Sequence, residues 1–213
     1  MPITNPTITP GPGRKPTITR ADLINAALGL LGPHRSVSTL SLREIARAAQ
    51  IAPNSFYRHF RDVDELAVTL IEQTGSSLRS IIGQARHRVT PRRSVVRSSV
   101  ETFFEQLRAD DRLLHLLLRE GSAGSDAFKD AVERQLRFFE DELCLDLIRL
   151  AKQANAPLHR PELVARAITR LVFAIGASAM DLPPERDPEL IRELSTMVRM
   201  IILGARALSH HTH

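Results

Sequence analysis

The chain has 213 residues, 43% of them hydrophobic and 25% charged, a composition that folds into one or two globular domains and excludes a disordered or collagen-like chain. Its longest notable apolar run, 171–180, falls short of the ~18 residues that span a bilayer, and its N-terminus has no apolar signal segment, so a cytoplasmic protein with no membrane partner is expected. The single cysteine, Cys144, excludes an internal disulfide or a cysteine-built zinc site, and the net charge of +5 lies wholly in residues 1–61, which carry eight Lys or Arg against two acids. A basic module joined to a nearly neutral one suggests a part that meets a polyanion and a part with another task.

Residues 1–19 hold five of the 13 prolines and little apolar periodicity, and read as a flexible basic arm with Arg14 and Lys15 near its end. Leu23, Ile24, Ala27, Leu30 and Leu31 then repeat at helical spacing until Gly32-Pro33 stops them. Ser41-Leu42-Arg43-Glu44 has the capping-box form and opens a short second helix ending near Ala49. Gln50, Ile51 and Ala52 make a turn, and Pro53, with its preset φ and no N–H to leave unpaired, suits the first position of a third helix. Phe56 and Phe60, one turn apart, should bury that helix's inner face. Asp62-Val63-Asp64-Glu65 caps a long fourth helix running towards Val89, roughly 40 Å in length and able to join two modules. Its weakest helical stretch, Thr74-Gly75-Ser76-Ser77, reads as a bending point. Further helices are expected at 92–109, 111–119, 125–153, 161–180 and 188–207, with no strand pattern. The sixth contains the all-round apolar run Leu113 to Leu118 and should be buried on every side. The expectation is an all-α fold of about nine helices: an arm at 1–19, a helix-turn-helix domain at 20–66, a ligand-binding and dimerisation domain at 67–208 and a tail at 209–213.

Two short helices joined by a tight turn in the basic third form the helix-turn-helix pattern, the second presenting Asn54, Ser55, Tyr57, Arg58 and His59 outward. Through Ser41-Leu42-Arg43-Glu44-Ile45-Ala46, then the ten residues from Ile51 to Phe60, then Asp64-Glu65-Leu66, the chain resembles the DNA-binding domain of TetR-family repressors. The stretch from Ser55 to Leu66, with Leu116-Leu117-Leu118-Arg119-Glu120 later, is similar to fatty-acid-biosynthesis repressors of the FabR type and their acyl-CoA-responsive relatives. That resemblance implies repression of unsaturated-fatty-acid genes, tuned by a long-chain acyl-CoA or another acyl thioester as effector, with no cofactor. Two departures stand out. Gln50 replaces the usual turn glycine, at a cost of about 1 kcal/mol if its backbone is left-handed. Val63 stands where many members carry a phosphate-binding lysine. On double-stranded DNA, Ser41, Tyr57 and His59 are expected at phosphates, Asn54 and Ser55 at base edges, and Arg14 and Lys15 in an adjacent minor groove, with Arg43, Ala52 and Arg58 on the same face. Asn54 has an alternative reading as a helix-start residue that satisfies only local backbone.

In the second module, Leu171, Ile175, Leu194, Val198, Ile201 and Ile202 on the last two helices, with the small run Gly176-Ala177-Ser178-Ala179, are expected to close a four-helix bundle between two copies. A homodimer of this kind requires a near-palindromic operator; burial of both helices within a monomer is the alternative. After residue 61 every aromatic is Phe, and such an interior suits an alkyl chain, at about 0.8 kcal/mol per buried methylene. Leu78, Ile82, Phe103, Phe104, Leu107, Leu114, Leu117, Phe128, Phe139 and Phe173 are the expected ligand contacts, each with an ordinary core role as its alternative. Arg86, Arg88, Arg92 and Arg93 are candidates for a charged head group, and His115 reads as a satisfied core histidine. There is no His-Glu-x-x-His, Gly-x-Ser-x-Gly or Gly-x-x-x-x-Gly-Lys, so neither catalysis nor a metal is expected. Two further readings stay open: a regulator of an efflux or degradation operon sensing another hydrophobic molecule, and a helical lipid carrier without DNA function.

Overall fold

Helices in this chain begin where a side chain can satisfy the first unpaired amides. Thr19 and Asp22 form a reciprocal capping box ahead of α1 (Arg20–Leu30), and Ser41 with Glu44 does the same for α2 (Leu42–Ala48). Pro53 opens α3 (Pro53–Phe56), and Asp62 accepts from the Glu65 amide at 2.8 Å to start α4 (Val63–His87). The computed structural model describes residues 18–31, 35, 37–87, 94–109, 114–118 and 125–209. Within them follow α5 (Val95–Arg108), α6 (114–118), α7 (Asp126–Gln153), α8 (Pro161–Ala179) and α9 (Asp187–Ser209), plus short 3-10 turns at Val37–Thr39 and Pro184–Arg186. Every regular element among the described residues is helical, and the nine α-helices agree with the expected all-α architecture. Arg14 and Lys15 of the arm, the head-group candidates Arg88, Arg92 and Arg93, and residues 210–213 of the tail lie outside the described residues.

The first three helices pack around Leu23, Ile24, Ala27, Ile45, Phe56 and Phe60, all buried. α4 contributes Leu66, Leu70 and Ile71 at its start and Leu78 and Ile82 further on, so one continuous helix belongs to both the N-terminal core and the larger C-terminal one. There α4 lies against α5 and α7, α7 against α8, and α9 against α5 and α8. Arginine clamps fix these contacts: Arg170 of α8 grips Glu133 of α7 with two bonds of 2.6 and 2.7 Å and Glu140 with a third of 2.8 Å. Glu140 is buried, and this pairing is what allows a carboxylate there. α6 is buried along Leu114, Leu116, Leu117 and Leu118, and His115 Nε2 lies 2.8 Å from the Leu107 carbonyl oxygen, a satisfied core histidine as read from the sequence.

Two local expectations are revised and a third, at Gln50, is met. α3 is one turn long rather than reaching Phe60; residues 57–59 continue as hydrogen-bonded turns, with the His59 and Phe60 amides both donating to the Phe56 carbonyl. Gln50 does take the left-handed backbone, φ 56°, so the strain foreseen for a residue other than Gly is present. At Gly75 α4 runs on as unbroken helix, and a Cβ added there would come within 2.6 Å of Gln135 Cγ on α7. The missing Cβ leaves room for the Gln135 side chain, and the weak propensity of the stretch is overridden by packing.

Candidate nucleic-acid interface and effector cavity

The helix-turn-helix is held by a clamp that sequence reading left among the undifferentiated basic residues. The Arg20 guanidinium lies 4.1 Å over the Phe60 ring and donates to the His59 carbonyl (2.9 Å), to Glu65 Oε1 (3.0 Å) and to Thr69 Oγ1 (3.2 Å). Glu65 also accepts from the Arg61 amide at 2.8 Å. One side chain of α1 therefore ties the end of the reading segment to α4. Only the three-dimensional fold brings position 20 beside 59 and 65, so no local spacing could announce it. Below, the Phe56 and Phe60 rings lie 5.8 Å apart in the core.

The outward face separates gripping groups from structural ones. Ser41 gives both its amide (3.0 Å) and its hydroxyl (2.9 Å) to Glu44 Oε2, so its donors serve the cap rather than a phosphate as first assigned. Arg35 forks onto both Glu44 oxygens at 3.0 and 3.1 Å. The Ser41 amide bond, then the Arg35 and Ser41 side-chain bonds, hold the Glu44 carboxyl at about 2. Arg43 and Arg58 are exposed, as is Arg47, one turn along α2 from Arg43, and none has an ion-pair partner among the described residues. Arg47 belongs with the expected set; its i,i+4 spacing from Arg43 was the available clue. Ala52 is the bare N-cap of α3. Asn54 is exposed, and its amide makes no hydrogen bond among the described residues, which disfavours the local-backbone alternative. Ser55 and His59 are half-buried at the same end, and Tyr57 stands 61% exposed with its ring edge-on to Phe56.

In the C-terminal domain an apolar cavity of about 90 Å³ opens between α4, α5, α7, α8 and α9. Four expected contacts, Ile82, Phe103, Phe139 and Phe173, line it. Leu78, Phe104, Leu107, Leu114, Leu117 and Phe128 are instead 1–2% exposed in solid core and do not line it. Val96, Val100, Leu143, Ile168, Val172 and Val198 complete the apolar walls, with Ser99, Thr169 and Arg86 as polar exceptions. These were missed because an apolar lining residue and an apolar core residue look alike in a sequence. Arg86 does not offer a free charge: its guanidinium pairs with Asp146 and lies 3.8 Å from Glu142.

The expected dimer face also needs correction. Leu194 is fully buried and Val198 lines the cavity, so both serve the interior of one protomer. Gly176 is likewise internal: a Cβ there would meet Phe103 Cζ at 2.6 Å. Leu171, Ile175, Ile201 and Ile202 are half-buried. The exposed apolar residues of α9 are Met197, Met200, Leu203 and Leu208. α9 is apolar on two sides, and periodicity alone cannot say which side faces home.

A clamped three-helix head with a polar outer face, carried on a helical body that encloses an apolar cavity, defines a helix-turn-helix DNA-binding regulator with an effector domain. Residues 23–70 match the family model described as bacterial regulatory proteins, tetR family, and residues 91–203 match the tetracyclin repressor-like C-terminal domain. The chain belongs to the TetR family of DNA-binding transcriptional regulators, which are not enzymes, and which dimerise and bind small-molecule effectors. A transcriptional regulator from Pseudomonas aeruginosa PAO1 shares the fold at TM-score 0.69 and 17% identity, over 91% of this chain and 92% of that one. The fatty acid degradation regulator FadR from Bacillus halodurans matches at 0.68 and 16%, covering 84% and 97%. Thermus thermophilus FadR, a TetR-family repressor solved with lauroyl-CoA, matches at 0.62 and 20%, covering 86% and 93%. No helix among the described residues is long and apolar enough to cross a membrane, and no cluster of three or more metal-ligating side chains occurs among them.

Proposed function

We propose that this regulator represses genes of lipid metabolism, those of unsaturated fatty acid synthesis foremost, in the cytoplasm, and that its effector carries a long acyl chain, as a long-chain acyl-CoA does. The observation that carries the reading is the chemistry of the cavity: ten apolar walls of Ile, Val, Leu and Phe, one already neutralised arginine and two side-chain hydroxyls. Such a lining favours methylenes and offers a polar drug few partners. The two FadR likenesses support the same class.

The volume supplies the coupling. About 90 Å³ is less than the ~150 Å³ that admits one benzene ring, so a chain enters only by moving the walls. Ile82 and Arg86 of α4 are two of those walls, and the same helix buries Leu66 and Leu70 in the DNA-binding head. A ligand that favours one tilt of α4 therefore shifts the position of the head.

The test selects a duplex from a random library and reads its binding by fluorescence anisotropy at fixed salt while palmitoyl-CoA or oleoyl-CoA is titrated. A near-palindromic site and a change in affinity of about tenfold or more are expected. Selected DNA that ignores both thioesters, but responds to an uncharged aromatic drug, would transfer the chain to the efflux or degradation class.

A further inference from the structure

From α4 onward, every described arginine forms an ion pair with a carboxylate except Arg192, Arg199 and Arg206. These three fall on one stripe of α9 at seven-residue spacing. At 100° per residue the stripe lies nearly opposite the exposed Met197 and Leu208 and about a quarter turn from Met200. Arg199 and Arg206 border a cleft of about 380 Å³ flanked on its other sides by the start of α5, the end of α7 and Leu158. Arg206 Nε makes no hydrogen bond, so this guanidinium N–H is not spent on a protein acceptor. Ser94, the N-cap of α5, also borders the cleft, and its side chain does not cap that helix's positive end. The rest of the lining is apolar, including Leu150, Ile202 and Leu203.

This cleft adjoins the effector cavity. Val96 lines both, and along α9 Val198 faces the cavity while Ile202, one turn later, faces the cleft. We infer that the cleft is the head-group site of an anionic amphiphile: Arg199 and Arg206 hold the negative head, and the alkyl tail passes Val96 into the cavity. The inference rests on the acyl-chain reading of that cavity and adds the sign and place of the head group. It also relocates that role from the α4 end, where Arg86 is neutralised by Asp146, to α9. From Arg206 to Val198 the path along the helix is roughly 12 Å, so head and tail of one molecule reach both compartments. A carboxylate and the phosphates of a CoA thioester share the required chemistry.

The test measures calorimetric binding of four sixteen-carbon probes to the full chain: palmitate, palmitoyl-CoA, hexadecanol and hexadecyltrimethylammonium. The wild type should prefer the two anions over the alcohol and the cation by tenfold or more. Arg199→Gln with Arg206→Gln should abolish that preference while leaving hexadecanol binding unchanged. Arg192→Gln, which removes one such charge outside the cleft, should leave it intact. Arg199→Gln alone, at an exposed position, keeps the test valid should the buried change perturb folding; it should lower anion affinity severalfold. Sensitivity of both anions assigns the head to a carboxylate-sized group, and sensitivity of the thioester alone assigns it to the nucleotide phosphates. Either supports the site. Variants that keep the full anion preference overturn the site and leave the acyl-chain reading standing. Failure of all four probes to bind the wild type overturns both.

Discussion

At Asn54, reading DNA and gripping it separate. The side chain is exposed, makes no hydrogen bond among the described residues, and sits on a segment fixed from beneath by Phe56 and Phe60 and from the side by Arg20. An amide so placed can present a donor and an acceptor to one base, a pairing that carries sequence information, whereas exposed Arg43, Arg47 and Arg58 attract any phosphate. Asn54→Ala should therefore cost about 1–3 kcal/mol on the selected duplex and little on random DNA, in anisotropy titrations at matched salt. Equal losses on both would return Asn54 to a merely local role. Charge alone would have ranked these residues differently: Arg20 and Arg35 contribute to the same basic excess, yet both are consumed by internal partners, Glu65 and Glu44.

At the scale of the element, the caps were readable because they are local. Ser41 and Glu44 stand three positions apart and need nothing beyond their own helix, and the box formed as the spacing foretold. It has a pH signature. Glu44 is held at about 2 against an ordinary value of 4.5, so its contribution favours the folded head fully above the ordinary value and is lost as pH falls through about 2. Glu44→Gln should lower the thermal midpoint at pH 7 and leave it less dependent on pH between 5 and 2, followed by circular dichroism. Gly75 shows the opposite case, where a local signal misled. Its low helical propensity suggested a bend, but the cause lies on another helix, in Gln135. Gly75→Ala alone should cost about 1–3 kcal/mol by overpacking, and adding Gln135→Ala should recover much of that, a non-additivity that a simple hinge would not show. What the sequence hid in each case was a partner far along the chain: Arg20 for Glu65, Gly75 for Gln135, Gly176 for Phe103. Helix starts, capping and the inward Phe pair needed no such partner and were legible, whereas the end of α3 and the cavity walls were not, since Val100 and Ile168 carry no mark to distinguish them from filler.

For the whole molecule, the question is which apolar side of α9 joins two copies, since a dimer sets the distance between reading heads. The inward side is accounted for: Leu194, Val198 and Ala205 are buried in their own protomer. Of the outward residues, Leu203 borders the basic cleft, which leaves Met197, Met200 and Leu208, 36, 66 and 57% exposed, on one side with exposed Gly204 among them. Unbranched methionines adapt to an opposing surface, and a glycine at that side admits a close neighbour. Met200→Glu places a carboxylate at the most exposed of these positions. It touches no core, so the monomer should keep its helical content and thermal midpoint to within about 0.5 kcal/mol. In sedimentation equilibrium the variant should dissociate at concentrations where the wild type is dimeric. Its affinity for a full palindrome should fall towards that for a half-site, because the second head no longer arrives at an effective concentration set by the first. A variant that remains dimeric and binds the palindrome normally would move the interface off this side of α9, and with it the route by which α4 tilt becomes head spacing.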